Sequence, residues 1–105
     1  MPDIVDRARA VAALRFRALG DETRLRIVES LVTGERCVAE LMDSLGLGQS
    51  LVSHHLRTLR QAGLVTVRRD GRWIYYSIAD AALGATRLAI YELEPLRRTQ
   101  DDGDE

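Results

Sequence analysis

A chain of 105 residues, 46% of them apolar, can fill one hydrophobic core but not two. Its single cysteine, Cys37, excludes an internal disulfide and suits a reducing, cytoplasmic setting. No run of about 18 uncharged apolar residues occurs and the start, MPDIVDRARA, carries acids, so neither a membrane span nor a signal peptide is expected. The formal net charge of -1 argues against a polyanionic partner until its distribution is mapped. Between Gln49 and Ile78, Arg57, Arg60, Arg68, Arg69 and Arg72 stand against Asp70 alone. Asp101, Asp102, Asp104 and Glu105 offset them at the end of the chain, which predicts one domain over 1–98 and a solvated, disordered acidic tail over 99–105. All 15 basic residues are arginine, whose planar fork suits phosphates and base edges.

In chain order, a first helix carries the stripe Ile4, Ala8, Val11 and Ala18. Asp21 is the expected N-cap of a second helix, with Leu25, Val28, Leu31 and Val32 on one face and Gly34 as its stop. Val38, Leu41, Met42 and Leu45 fall at i, i+3, i+4 and i+7 and predict a short amphipathic helix closed by Gly46. After the turn LGLG, the segment Gln49 to Ala62 repeats the pattern with Val52, Leu56 and Leu59 inward, and Gly63 ends it. Two short helices joined by a glycine turn spell helix-turn-helix.

The period then changes from 3.6 to 2. LVTVRRDGRWIYYSI reads as a hairpin with Val65 and Val67 facing Ile74, Tyr76 and Ile78 across a type I′ turn at Asp70-Gly71. That turn makes Arg69 and Arg72 close cross-strand neighbours, an arrangement that costs tenths of a kcal/mol unless an anion lies between them. The last helix carries Leu83, Ile90, Leu93 and Leu96 around Pro95. One small core cannot cover both terminal stripes. The first and last helices are therefore expected to meet their copies across a two-fold axis, with Ile4, Ala8, Val11, Leu83, Ile90 and Leu93 in the interface; the alternative is a monomer in which they pack on one another.

The runs ALGDETRLRIVESL, ERCVAEL, QSLVSHHLRTLRQAGLV and RRDGRWIYYSI, in that order and spacing, resemble the ArsR/SmtB family of regulators across residues 14 to 95. The resemblance implies a mainly α winged helix-turn-helix, with five helices and a small β-hairpin between the fourth and the fifth. It further implies a homodimeric transcriptional repressor on a palindromic double-stranded operator, released by a metal or another small inducer.

Adjacent helical residues point about 100° apart, so His54 and His55 cannot chelate one ion. His55 lies beside the inward face and is expected to pack inside the motif. Gln49, Ser50, Ser53 and His54 lie where a helix in the major groove meets base edges. Arg57 and Arg60, farther along, are assigned to phosphates, as are Arg68, Arg69 and Arg72 of the wing. In family members that sense soft metals through a Cys-x-Cys pair, the second position corresponds to Ala39 here, and Cys37 alone is no soft-metal site. Of the four ligands of the family's other site, Asp80 is kept, whereas Ala82, Leu93 and Leu96 replace the rest. Two routes to sensing remain open. One is a nickel, zinc or cobalt site of nitrogen and oxygen donors drawn from the histidines and from Asp3, Asp6 or Glu94; the other is a separate co-regulator protein. Catalysis is not expected, because Cys37 and His55 are the only nucleophile-base candidates and nothing orients the histidine. A winged helix that binds protein and never touches DNA is a further alternative, one with no need of Arg69 and Arg72.

Overall fold

Helix caps and glycines set the boundaries of the elements in the computed structural model, which describes residues 3–93. Helix α1 (Ile4–Leu19) starts where the Asp3 carboxylate accepts the Asp6 N–H. Helix α2 (Glu22–Val32) starts at Asp21, whose carboxylate accepts the Arg24 N–H at 3.0 Å and whose pKa is lowered by that bond. Strand β1 (Arg36–Cys37) leads directly into α3 (Val38–Leu45), and the Glu40 carboxylate caps the Cys37 N–H at 2.9 Å. Gly46, at φ 68°, takes the left-handed conformation that stops α3 and turns the chain toward α4 (Gln49–Gln61). Strands β2 (Val65–Asp70) and β3 (Trp73–Ile78) precede α5 (Asp80–Glu92).

The core lies between α2, α3 and α4. Ile27, Leu31, Leu41, Leu45, Val52, Leu56, Leu59 and Leu64 are buried there, with Tyr76, Ile78 and Leu83 packed against them. The inward positions expected of α3 and α4 are thus the ones observed. Helix α2 is rolled differently. It buries Ile27 and Leu31, while Leu25 and Val32 face solvent. The cause is polar: the Arg24 guanidinium turns inward, donates to the Ala18 and Arg17 carbonyls at the end of α1, and so takes a place that an apolar count assigns elsewhere.

The sheet also departs from expectation. It has three antiparallel strands in the order β1-β3-β2, because Arg36 and Cys37 pair with Tyr76 and Tyr75. The hairpin register pairs Val65 with Ile78, Val67 with Tyr76, Arg69 with Ile74 and Asp70 with Trp73. The two turn residues are therefore Gly71 and Arg72, and Arg69 does not face Arg72. Gly71 has φ 61° and no described non-glycine residue has positive φ, as a type II′ turn requires and a type I′ turn at Asp70-Gly71 forbids. Shifting the loop by one residue moves every cross-strand pair by two and keeps each side chain on its face, so the alternation alone does not distinguish the two registers.

Helix α5 rests mainly on α1, and the two bury little: Ala18 in α1 and Thr86 in α5. Pro95, Leu96 and the acidic tail over 99–105 lie outside the described residues.

Candidate nucleic-acid interface

The site follows from how α4 is rolled. With Val52, Leu56 and Leu59 buried against α2 and α3, the opposite face presents Gln49, Ser50, His54, Arg57 and Arg60 to solvent and leaves Ser53 half-buried. Arg69 and Arg72 are exposed near and in the β2-β3 turn. None of these eight side chains forms a hydrogen bond or an ion pair among the described residues. The face is thus a row of open donors and cations, with Asp70 the one acid between Gln49 and Ile78.

Arg68 is the exception among the nine arginine, serine, histidine and glutamine positions singled out. Its Nη2 donates to Glu35 Oε1 at 2.6 Å and its Nε to Oε2 at 3.2 Å. The guanidinium also lies 4.6 Å over the Tyr75 ring, and Asp70 approaches at 3.8 Å. Arg68 donation holds the Glu35 carboxyl below its usual pKa, while the same bond raises that of Arg68. Arg68 therefore ties the wing to the segment before β1. Glu35 has no sequence signal because it meets Arg68 only through the third strand, and Tyr75 has none because the expected register pairs Arg68 with Trp73 instead. Trp73, exposed opposite Asp70, adds an aromatic ring to the tip and was equally unremarked.

The two histidines part ways. The rings are tilted by 59° with centroids 5.4 Å apart, and His54 is exposed while His55 is buried. His55 Nδ1 lies 3.2 Å from Arg24 Nη1, a permanent donor, so Nδ1 is the acceptor and the ring is in its Nε2–H form. Burial lowers the His55 pKa, and the nearby Arg24 charge adds to the shift against the opposing pull of Asp21. Cys37 sits at the start of α3, with no bond joining it to His55.

Among the described residues, no three His, Cys, Asp or Glu side chains gather as a metal site. Asp3 caps α1, Asp6 pairs with Arg9 at 3.0 Å, and Asp80 is exposed at the start of α5; Glu94 lies outside the described residues.

The terminal helices carry a second, apolar surface. Ile4 is 82% exposed, Leu93 75% and Ile90 53%, with Ala8 and Val11 also exposed; Leu83 is half-buried against the core. Val5, Leu14, Leu88 and Tyr91 extend this surface beyond the residues expected from the stripes. No described helix is long and apolar enough to cross a membrane.

Residues 21–67 match the model for bacterial regulatory proteins of the arsR family. The chain is 44% identical over 70 residues to an HTH-type transcriptional regulator of Methanocaldococcus jannaschii, covering 66% of this chain and 79% of that one. It is 45% identical over 76 residues to a transcriptional repressor SmtB homolog of Synechocystis, covering 72% of this chain but 57% of the relative. The fold matches that of an ArsR-like transcriptional regulator from Rhodococcus with a TM-score of 0.82 and 27% identity, over 90% of each chain.

Proposed function

The chain belongs to the arsR family of bacterial regulatory proteins, and from that premise we propose that it is a repressor that binds a palindromic operator as a homodimer. The observation that carries this reading is the row of exposed donors and cations on α4 and the wing tip, free of partners within the described residues and facing a single acid, Asp70, in that stretch. Gln49, Ser50, Ser53 and His54, in the first turns of α4, read base edges in the major groove. Arg57, Arg60, Arg69 and Arg72 hold phosphates and set the register. Arg68 contributes by fixing the wing, and reaches phosphate only by exchanging Glu35 for it. The second copy is held through α1 and α5, whose exposed Ile4, Ile90 and Leu93 then leave water.

One cysteine per chain, Cys37, cannot form a Cys-x-Cys chelate, so control by an effector is assigned to other groups. Either a nickel or zinc ion taken by nitrogen and oxygen donors, with His54 the exposed imidazole, or a co-regulator protein releases the operator. Titrating each ion into the protein-operator complex separates the two routes: direct release marks the metal, and inert ions leave the partner.

The defining experiment is a mobility shift with the duplex upstream of the protein's own coding region. Ser53→Ala and His54→Ala should each weaken operator binding by roughly 1–3 kcal/mol and leave binding to random duplex unchanged. Equal losses on both duplexes would remove these residues from base reading.

A further inference from the structure

A cleft of about 220 Å³ opens between α4 and the sheet, walled by Ser53, Leu56, Arg57 and Arg60 from the helix and by Tyr76 from β3. Its polar lining consists of two guanidiniums and two hydroxyls, and no acid contributes to it. All four polar side chains lack a hydrogen bond or ion pair among the described residues. For Tyr76 this is unusual, because its ring packs on the core and a phenylalanine would fill that place as well. The Tyr76 hydroxyl therefore stands at the edge of a cationic cleft with no partner among the described residues, open to an acceptor from outside the chain.

We infer that this cleft seats one phosphodiester of the DNA backbone and that the Tyr76 hydroxyl donates to it beside Arg57 and Arg60. The inference rests on the DNA-binding reading above and adds to it a neutral positioning residue carried by the wing. The geometry supplies what a phosphate needs: two charges to neutralise it and the Tyr76 hydroxyl to orient it, with Ser53 at the rim left to the base edges. Because Tyr76 belongs to the central strand and Arg57 and Arg60 to α4, one phosphate bound there fixes the angle between helix and wing on the duplex.

The test uses a duplex that the wild-type protein selects from a random pool, and the variant Tyr76→Phe, which keeps the packed ring. Retained folding is checked by an unchanged thermal midpoint. Loss of a hydrogen bond to a charged group should weaken binding by at least about tenfold per half-site, equally on the selected and on a random duplex. The salt slope should stay as in the wild type, since no charge is removed. In a scan of single methylphosphonates along each strand, one position per half-site should weaken the variant by less than it weakens the wild type, the difference being the lost hydroxyl contact, while Arg57 and Arg60 still register the missing charge in both. Full binding by Tyr76→Phe, or losses that add at every methylphosphonate position, would overturn the assignment while leaving the DNA-binding reading intact. Sub-millimolar binding of inorganic phosphate to the DNA-free protein, abolished in Tyr76→Phe, would assign the cleft to a free anion and overturn it as well. A wild type that selects no duplex would overturn both the function proposed above and this inference.

Discussion

The helix-turn-helix with its wing and the pair of terminal helices solve opposite problems. In the first region the apolar groups are closed off: Leu41, Val52, Leu56 and Leu59 have no exposure at all, and it is the polar groups that stand open. In the second, α1 and α5 bury only Ala18 and Thr86 between them and leave Ile4, Val5, Ile90 and Leu93 in water. A finished core beneath a cationic, acid-poor face suits a polyanionic partner; a region with unfinished apolar cover suits another apolar face. The same chain thus carries two incomplete surfaces of different chemistry, and each should respond to a different perturbation.

The largest effect is expected inside the finished core. Leu56→Ala should cost roughly 2–5 kcal/mol of folding stability in urea titrations, with the same loss at low and high protein concentration. A loss under about 1 kcal/mol would mean that the motif does not depend on its own packing. In the terminal helices, Ile90→Asp should leave the helix-turn-helix folded and shift sedimentation from dimer to monomer, because a carboxylate cannot be desolvated cheaply in an apolar contact. A wild type that sediments as a monomer at micromolar concentration would erase the contrast between the two surfaces.

On the polar surface, replacing Arg69 and Arg72 together with alanine should flatten the salt dependence of operator binding by two phosphates per subunit, a slope change of about 3.6 for the proposed dimer. No gain in stability is expected, because the register separates the two arginines. An unchanged slope would leave the wing in solvent.

A smaller effect concerns pH. The folded state holds His55 with a lowered pKa, so the unfolded chain takes up its proton first as pH falls. Stability from this site is complete above the unfolded value of about 6.5 and is lost as pH drops through the folded one. Asp21 and Glu40, lowered by backbone N–H donors, lose their contributions only in the carboxylate range near pH 4, so the two windows separate. Thermal midpoints from pH 8 to pH 3 should fall in two steps, and His55→Gln should remove the first. The smallest effect belongs to Cys37→Ser. Serine is a favourable N-cap, no second thiol exists, and both stability and DNA binding should stay within about 0.5 kcal/mol of wild type.

The helix-turn-helix was legible because its apolar residues at period 3.6 close completely, with Gly46 and Gly63 marking the ends. The roll of α2 was not, since Arg24 occupies an inward place through carbonyls at the end of α1, and carbonyls have no signature in sequence. A two-residue strand carries no period, so β1 was invisible, and with it the Glu35-Arg68 pair. The faces of the hairpin were readable, but its register was decided by turn chemistry: a single positive φ at Gly71. The hydroxyl of Tyr76 was concealed by its ring, which reads as core.

One bond described by neither surface connects them. The Arg15 side chain of α1 donates through Nε to the Ala62 carbonyl at 3.0 Å, gripping the C-cap residue of α4. In the proposed dimer this bond acts as one joint of a ruler, running from the symmetry axis through α1 to α4. The distance between the two reading helices is then set by rigid helix packing, and a flexible loop has no part in it. Operators with one or two base pairs added between half-sites would be refused outright, because each added pair also rotates the second half-site around the duplex axis.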